Sequence, residues 1–473
     1  MGINGSINYK DFTYFLLNTK ISQLNKTNIY KNIEKIVNKL KVINQLKHRH
    51  KYLCLSCIYG AFLGDSIGSS CEFQPPSKDN HKAIFSDKDE VFYPGEVTDD
   101  SEMAISAAFA YMDIINEDPS YLQNLLYYYF CIWRNSNPKD LGNTTSNALK
   151  NWKGESIEYT KFDYKYIKKE NWDSLANGFL MRISTFIVFY YYTHLESIYN
   201  TIQNYFSKEN TELTDEIINL YLDIYNESSI NTEITHPNYE CGISSAVFTL
   251  MTLTGMVTND ASKIYSLFKI ITKSKNFFKC HKDKMENNLA VNIQAKYDKI
   301  IKEVENNNIS PVYSSMGYYI HAFKLTVYNI KRLADMGKNF ENDIYFKIMC
   351  DICDFGGDTD TNCAIVGTMI GPLIGYTNFH KYYFDIFIKF IPPERCQYNS
   401  AFMYVYVNYL EEKFIQESIK WTNIKEGSHK LEKINIKEGN QLSSQENNKE
   451  IKKLNYTSFN KIKEFLIKDM IIK

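Results

Sequence analysis

The stretch that most constrains the fold is residues 60–72, which read GAFLGDSIGSSCE. Glycine recurs at every fourth position from Gly60 to Gly68, so on a helix these positions share one face. A glycine face lets the backbone of another helix approach closely. Asp65 lies within the run, and Glu72 follows it in a segment that we expect to be a loop, free to move. The run predicts a closely packed helix that ends beside acidic side chains.

A second stretch of similar character is residues 356–371, which read GGDTDTNCAIVGTMIG. Asp358 and Asp360 are two residues apart in a turn, where both can point at one site. Gly367 and Gly371 are four residues apart in the apolar run that follows. This stretch therefore predicts a second helix with a face for close packing, and it opens with two acids.

A third acidic stretch, residues 98–102, reads TDDSE. Adjacent carboxylates repel each other unless a cation offsets their charge. Carboxylate and hydroxyl oxygens suit a hard ion such as Mg²⁺ or Mn²⁺ better than zinc. Taken alone, the stretch is better interpreted as a helix start, with Thr98 as the cap and the acids at the positive end of the helix dipole.

Two acid-plus-hydroxyl clusters, each at the start of a helix, occur together far less often than either one alone. We therefore predict that they meet in an oxygen-rich site that binds one or two Mg²⁺ ions. The predicted ligands are Thr98, Asp99, Asp100, Asp358, Asp360 and Thr361.

The remaining segments have helical periodicity, and alternating strand–helix patterns are missing, so we predict an all-α protein. Residues 275–312 are polar and predict an inserted excursion that is partly helical. The strongest helix predictions are 52–64, 100–115, 120–134, 178–206, 240–256, 262–274, 317–334, 342–354, 361–375 and 400–418.

The motifs, in this order, resemble the ADP-ribosylglycohydrolase family from about residue 53 to residue 375. Besides the three stretches above, four shorter segments are similar to the family pattern. They are DLGNTT at 140–145, NGFLMR at 177–182, THP at 235–237 and SMGY at 315–318. The resemblance implies a compact orthogonal helical bundle with a binuclear magnesium centre, in which manganese can replace magnesium. It also implies hydrolysis of the bond between ribose C1″ and an acceptor, which releases ADP-ribose.

The resemblance also implies roles for individual residues. The candidates for catalytic roles are Glu72, Asp140 and Asp100, with Glu72 as the acid/base or as a gate that orders a water molecule. The residues expected to line the ADP-ribose pocket are Asn143, Asn177, Gly178, Met181, His236, Gly317 and Tyr318. Two departures from the pattern stand out: Phe179 is bulky and is expected to narrow the pocket, and Asn362 replaces an apolar residue.

Composition excludes several classes of protein. The 473 residues are 44% hydrophobic and 15% aromatic, which argues against a disordered chain. The longest apolar stretch, about 244–257, is shorter than the roughly 20 residues of a membrane-spanning helix. Two CxxC pairs, at Cys54 and at Cys350, are better interpreted as buried core cysteines than as a zinc site. No secretory signal is recognisable, so we expect a reducing, cytoplasmic or nuclear location and a monomer.

Extensions flank the predicted catalytic domain at 52–418. Residues 20–51 carry a net charge of +8 with helical apolar spacing, and the first six residues fit an N-myristoylation pattern. We consider three interpretations: a helix packed on the domain, a weak membrane anchor, and a segment attracted to nucleic acid or poly(ADP-ribose). Residues 419–473 predict a polar linker followed by a short amphipathic helix.

Two alternatives to a hydrolase remain. The chain could be a catalytically silent ADP-ribose-binding or scaffold protein on the same fold, although every predicted metal ligand and Glu72 are present. It could also act chiefly as a membrane or nucleic-acid interaction protein through its basic segment. The expected partners are ADP-ribosylated proteins or ADP-ribose conjugates, and the sequence does not identify the acceptor.

Overall fold

The computed structural model describes residues 26–43, 48–86, 91–115, 117–208, 210–274, 277–278, 287–309, 313–337, 340–392, 395 and 398–416. Within these ranges the chain forms seventeen α-helices and short 3₁₀ turns but no strand, so the all-α prediction is confirmed. In chain order the helices are α1 (Lys26–Val42), α2 (Arg49–Gly68), α3 (Asp99–Ile114), α4 (Leu122–Asn135), α5 (Asn143–Leu149), α6 (Tyr164–Asn171), α7 (Ile183–Thr193), α8 (Leu195–Ser207), α9 (Asp215–Thr232), α10 (Tyr239–Thr258), α11 (Ala261–Lys273), α12 (Asn287–Glu305), α13 (Tyr319–Met336), α14 (Ile344–Phe355), α15 (Thr359–Ile374), α16 (Lys381–Lys389) and α17 (Met403–Glu411).

The centre of the fold is the antiparallel pair formed by α2 and α15. Every residue of α15 is buried, and so is α2 from Tyr52 onward. A Cβ atom on Gly64 would lie within 3.0 Å of the Cys363 carbonyl oxygen, and one on Gly367 would collide with the Gly60 carbonyl. The two glycine runs of the sequence therefore pack against each other, and side chains at these positions would force the helices apart.

The antiparallel arrangement sets the end of α2 beside the start of α15. A Cβ on Gly68 would lie within 3.0 Å of Thr359 and Asp360 backbone atoms, and the Thr359 hydroxyl donates a hydrogen bond to the Gly68 carbonyl at 2.7 Å. Near the middle of α2, the buried Tyr345 hydroxyl of α14 donates to the Gly60 carbonyl at 2.5 Å. The segment after Gly68 and the acidic turn before α15 consequently lie at the same end of the pair.

Helix α3 joins this pair and carries the third acidic stretch at its start. Thr185 of α7 donates a hydrogen bond to the Ala104 carbonyl at 3.0 Å, and Trp133 of α4 donates to the Glu102 carboxylate at 2.8 Å. Arg395 also donates to both oxygens of Glu102 and to the Ser136 carbonyl. The first turn of α3 is thus fixed from several directions by buried polar contacts.

The predicted helix at 178–206 is wrong in one respect, because the structure divides it. Asn177–Phe179 forms a 3₁₀ turn, and α7 ends before His194, whose φ of −123° and ψ of 24° are not helical. The His194 ring stacks on Tyr190, and its Nε2 atom lies 3.1 Å from the Glu227 carboxylate. These contacts stabilise a bend between α7 and α8 at a residue that the apolar periodicity does not distinguish.

The inserted segment forms one α-helix, α12, and its other described residues, 277–278 and 306–309, are not α-helical. Helix α12 buries Ile293, Tyr297 and Ile300, and the Tyr297 ring stacks on Phe323 of α13 with centroids 5.1 Å apart. The prediction of a partly helical excursion agrees with this arrangement. An aromatic cluster of α11, α12 and α13 holds the helix against the rest of the bundle.

The basic N-terminal helix lies against the body. Ile33, Ile36, Val37 and Leu40 of α1 are buried, and the Tyr376 hydroxyl donates to the Leu40 carbonyl at 2.8 Å. This supports the interpretation of a helix packed on the domain, whereas membrane or polyanion contact stays a prediction. The myristoylation pattern and the predicted 419–473 linker and helix lie outside the described residues.

The structure also places the apolar helix that is long enough to span a membrane and the cysteines of the two CxxC pairs. Among the described helices, α10 alone is long and apolar enough to cross a membrane, and 94% of its apolar window is buried within the protein. That burial is typical of a core helix. Seven of the eight described cysteines are buried, and the groups of described side chains with metal-ligand spacing contain only acids.

The contact between α2 and α15 generates a prediction about stability. Gly64→Ala should lower the free energy of unfolding by at least about 2 kcal/mol, because the new methyl group meets rigid helix backbone. Gly142→Ala is the matched control, since nothing lies within 4 Å of a Cβ at Gly142. The control should change stability by no more than about 1 kcal/mol. Urea unfolding measures both, and equal effects of the two substitutions would contradict the close contact.

Candidate functional site

The start of α3 is organised by an acid on α2. Asp65 is fully buried, and its carboxylate accepts hydrogen bonds from the backbone N–H groups of Thr98 at 3.1 Å and Ser101 at 3.2 Å. The Ser101 hydroxyl donates to the same carboxylate at 2.5 Å. Thr98 caps the helix, as predicted, by accepting from the Asp100 N–H. Asp65 therefore fixes the acidic first turn of α3 relative to α2.

The start of α15 is fixed by the loop that carries Glu72. The Phe73 N–H donates to the Gly357 carbonyl at 2.7 Å, and the Gly357 N–H donates to the Gln74 carbonyl at 2.9 Å. Gly356 has a φ of 70°, and a Cβ there would collide with the Gln74 carbonyl. Glu72 thus lies in a backbone segment tied to the acidic turn, contrary to the expectation of a freely moving loop.

These contacts produce an inner cluster of three buried acids. Ligand oxygens of Asp65, Asp100 and Asp360 lie within 4.8 Å of one another. The hydroxyls of Thr98 and Thr361 each donate to Asp100 Oδ2 at 3.2 Å. Asp100 Oδ1 is buried and has no hydrogen-bond partner among the described residues. An unpartnered buried carboxylate oxygen among acids is what a cation-binding site requires.

An outer, more accessible cluster adjoins the inner one. Glu72, Asp140 and Asp360 offer oxygens within 4.8 Å of one another, and Glu72 and Asp140 are only half-buried. Asp360 belongs to both clusters and so connects the inner site to the solvent side. The structure therefore brings together the predicted catalytic residues Glu72, Asp140 and Asp100 around one predicted metal ligand.

Electrostatics favour a bound cation at these clusters. Burial and the surrounding carboxylates raise the pKa of Asp99, Asp100 and Asp360 well above the ordinary range. Burial raises the pKa of Asp65 to about 7, and burial together with Asp358 and Asp140 raises the pKa of Glu72 to about 9. None of these acids forms an ion pair with a described Lys, Arg or His side chain. The residues present therefore fit a divalent metal, which would remove the mutual repulsion.

The predicted ligand Asp358 is held by part of the predicted pocket. Asn177 Nδ2 donates to Asp358 Oδ2 at 2.7 Å, and the Asn177 N–H donates to the Gly317 carbonyl at 2.9 Å. A Cβ on Gly317 would lie 3.7 Å from Asp358 Oδ2. Asn177, Gly317 and the adjoining half-buried Tyr318 thus lie beside one edge of the acidic site.

A second part of the predicted pocket centres on His236. Its ring is fully buried, Nδ1 lies 2.8 Å from the Thr235 hydroxyl, and Nε2 has no partner among the described residues. A Cβ on Gly178 would lie 3.1 Å from His236 Cε1 and 3.7 Å from Met181 Sδ. Burial lowers the pKa of His236 well below the ordinary value, so the ring is neutral.

Arg182 holds the residues around His236 in place through buried hydrogen bonds. It is fully buried and donates to the Gly178 carbonyl, to Asn231 and to the Thr235 hydroxyl. Burial lowers its pKa to about 9. Phe179 does not narrow an open pocket as expected, because its ring is buried against His236 and Tyr319.

The predicted site residues Asn143 and Asp140 are more exposed than the buried acids of the inner cluster. Asn143 is exposed at the start of α5, and Asp140 precedes it with its carboxylate accepting from the Leu141 N–H at 2.7 Å. Asn362, the second departure from the family pattern, is fully buried, and neither polar atom of its amide has a partner among the described residues. A buried amide of this kind costs stability unless water or a ligand reaches it.

Sequence reasoning assigned no role to several residues that organise the site. Asp65 was recognised within the glycine run, but its hydrogen bonds to α3 are tertiary contacts that no local pattern encodes. The same is true of Arg182 and of the Glu102–Arg395 pair. The position of Asp65 next to Gly64 in the glycine run was the only available signal.

Comparisons with known proteins identify the family of this chain. A model of the ADP-ribosylglycohydrolase family matches residues 47–385, most of the chain, and the chain belongs to that family. An Acanthamoeba polyphaga mimivirus protein, provisionally named an ADP-ribosyl glycohydrolase, is 26% identical over 354 residues, which cover 72% of this chain and 92% of that protein. A solved chain described as "ADP-ribosylglycohydrolase-related protein complex" aligns over 76% of this chain and 98% of its own at 13% identity. Its TM-score of 0.46 is too low to support an argument.

The raised pKa values generate a prediction about pH and metal. The folded-state pKa values of Asp65 and Glu72, about 7 and about 9, exceed the unfolded values of ~4. The contribution of these two groups to metal-free stability is therefore fully present at low pH and is lost as pH rises through the folded-state values. A cation competes with these protons. Mn²⁺ should therefore raise the melting temperature more at pH 8 than at pH 5.

Differential scanning fluorimetry in chelator and in Mn²⁺ measures this difference. Asp360→Asn is the control that should show little Mn²⁺ response at either pH. An equal Mn²⁺ effect at the two pH values in the wild-type protein would contradict the interpretation of the acids as a metal site.

Proposed function

We propose that this chain is a magnesium-dependent hydrolase that cleaves the ribose C1″ bond of ADP-ribosylated protein side chains or related conjugates and releases ADP-ribose. The observation that carries the proposal is the meeting of the two acidic helix starts in one site, with an accessible pair of carboxyl groups beside it. Family membership supports the class of substrate. The acceptor and the type of glycosidic bond are part of the proposal.

The proposed metal centre holds two Mg²⁺ ions, with Mn²⁺ as a substitute. Its ligands would be Thr98, Asp99, Asp100, Asp358, Asp360 and Thr361, which offer only oxygen donors, as hard divalent ions prefer. The metal, when bound, supplies positive charge that orients ribose hydroxyls and polarises a water molecule. We assign Asp65 the role of positioning α3 and not that of a metal ligand, since its carboxylate already accepts hydrogen bonds from Thr98 and Ser101.

Proton transfer is assigned to the outer cluster. Cleavage at C1″ develops oxocarbenium-like charge, requires an attacking water and often needs a proton for the leaving group. Glu72 and Asp140 carry the two half-buried carboxyl groups within 4.8 Å of the shared acid Asp360. One would take the proton of the water at its carboxylate, and the other would donate to the acceptor. Burial, together with the neighbouring carboxyl groups of Asp358 and Asp140, raises the pKa of Glu72 to about 9, which keeps a proton on it at neutral pH in the absence of metal.

Binding of the ADP-ribosyl group is assigned to the neighbouring polar loops. Arg182 Nη2 donates to the Thr235 hydroxyl at 2.8 Å, so the hydroxyl proton of Thr235 is directed to His236 Nδ1. This order makes His236 Nε2 the protonated nitrogen, an unpaired donor for a phosphate or ribose oxygen. Asn177 is held between Asp358 and Gly317. The proposed pocket also contains the adjoining Gly178, Met181 and Tyr318, and the exposed Asn143 lies at its edge.

The experiment is a release assay with purified protein. The protein would be incubated with Mg²⁺ and mono-ADP-ribosylated arginine and serine peptides, O-acetyl-ADP-ribose and poly(ADP-ribose), and free ADP-ribose would be measured. We expect release from at least one substrate. Asp358→Ala/Asp360→Ala should reduce the rate by at least about 1,000-fold, because both the charge and the geometry of the metal site are lost.

Asp351→Asn is the matched control for this assay. Asp351 is a half-exposed carboxylate on α14 that pairs with Arg332, and its substitution should leave the rate within about twofold. Absence of release from every substrate, together with a rise in melting temperature on adding ADP-ribose, would replace the hydrolase proposal with the silent binding protein.

A further inference from the structure

Exposed apolar side chains lie in, or contact, the two loops that carry the accessible acids Glu72 and Asp140. Among the described residues, eight large hydrophobic side chains are exposed, and three of them are Phe73, Val91 and Tyr93. Phe73 directly follows Glu72 in the chain. Val91 and Tyr93 contact the side chain of Lys139, and Lys139 directly precedes Asp140 in the chain. We call Phe73, Val91 and Tyr93 the acceptor rim.

Phe73 is held in an unusual conformation. Its φ is 59°, in the left-handed region that bulky residues rarely adopt, and its side chain is 57% exposed. The hydrogen bonds from the Phe73 N–H to Gly357 and from the Gly357 N–H to Gln74 fix the backbone on both sides of it. An exposed ring gains little from burial here, so folding alone does not explain the strain. Strain of this kind is concentrated at functional sites.

Val91 and Tyr93 contact Lys139, the residue that precedes Asp140 in the chain. The Lys139 ammonium donates to Glu96 Oε2 at 2.6 Å and to the Val91 carbonyl at 2.9 Å, and it lies 4.8 Å from the centre of the Tyr93 ring. The Tyr93 N–H also donates to Glu96 Oε2 at 2.9 Å. Because Lys139 immediately precedes Asp140, these contacts tie the exposed Val91 and Tyr93 to the loop that carries the Asp140 carboxylate.

The proposed function directs the acceptor toward the accessible side of the site. The inner acids are buried, and Glu72 and Asp140 form the accessible side of the site. A ribose whose C1″ atom reaches these two carboxyl groups directs its acceptor outward, past the residues that flank them. We propose that the acceptor rim contacts a polypeptide acceptor, and that Phe73 makes the enzyme prefer ADP-ribosylated polypeptides to the same linkage on a small acceptor.

The chemistry of the rim favours a polypeptide over a small anionic acceptor such as acetate or phosphate. Three exposed apolar side chains offer contact area to a peptide, whereas a small anion needs donors or free positive charge. The Lys139 ammonium is already bonded to the Glu96 carboxylate and the Val91 carbonyl. The acids beside the rim would also repel an anion unless metal is bound.

The experiment compares the rate of hydrolysis of the same glycosidic bond in two substrates, one with a long acceptor and one with a short acceptor. The substrates are the peptide cleaved best in the release assay and the corresponding free ADP-ribosylated amino acid. The wild-type protein should have the higher kcat/KM on the peptide. Phe73→Ala should lower kcat/KM for the peptide about tenfold and change that for the amino acid less than about twofold, because a ring that contacts only the peptide is lost.

Three further variants make the comparison specific. Phe73→Gly removes the ring and the backbone strain together and should match Phe73→Ala, whereas Phe73→Tyr keeps a ring and should retain the peptide preference. Tyr121→Ala removes an equally exposed aromatic ring at the N-terminal end of α4, a helix about 20 Å long whose other end leads into the Asp140 loop, and should change neither value.

The outcomes separate this inference from the proposed function on which it rests. Equal losses on both substrates would mean that Phe73 only supports Glu72, and would overturn the inference alone, as would no loss on either. A wild-type protein that shows no peptide preference would also overturn it. If the wild-type protein releases ADP-ribose from O-acetyl-ADP-ribose or poly(ADP-ribose) but from neither of these two substrates, the inference fails and the proposed function stands. If it releases ADP-ribose from no substrate of the release assay, both fail.

Discussion

The close backbone contact between α2 and α15 is the constraint on which the rest of the structure depends. Glycine at positions 60, 64, 367 and 371 allows the two helices to approach until backbone atoms meet. This approach fixes the relative height of the two helices as well as their separation. The residues that follow α2 and those that precede α15 therefore form a single surface. Asp65, one position after Gly64, then fixes the start of α3 at the same place.

The site concentrates negative charge that a protein without a cation would avoid. The N-termini of α3 and α15 contribute partial positive charge, and hydroxyl and backbone N–H groups satisfy some carboxylate oxygens. These contributions are insufficient, since the pKa values of the buried acids remain raised and Asp100 Oδ1 has no partner among the described residues. Rigid helix packing holds the acids together against their repulsion. The same rigidity prepares the oxygens for a divalent ion.

Much of this arrangement could be predicted from the sequence. The glycine runs indicated close helix packing, the acid-plus-hydroxyl clusters indicated oxygen ligands, and the order of motifs indicated the family. The sequence did not reveal that the two glycine runs pack against each other, because each run is compatible with any partner helix. The sequence patterns also did not predict the helix Asp215–Thr232 or the bend at His194. The bend depends on contacts of His194 with Tyr190 and Glu227 that are formed only in the folded chain. Buried residues such as Arg182 were ambiguous, since a lone arginine is usually at the surface.

The most direct test of the account is a Mn²⁺ titration followed by electron paramagnetic resonance of the free ion. Asp100 and Asp360 lie on different helices, and the account requires both to belong to one binding site. Asp100→Asn and Asp360→Asn should each weaken tight Mn²⁺ binding by at least about 100-fold. Loss of binding with only one of these substitutions, or retention with both, would contradict a metal centre assembled by the α2–α15 contact.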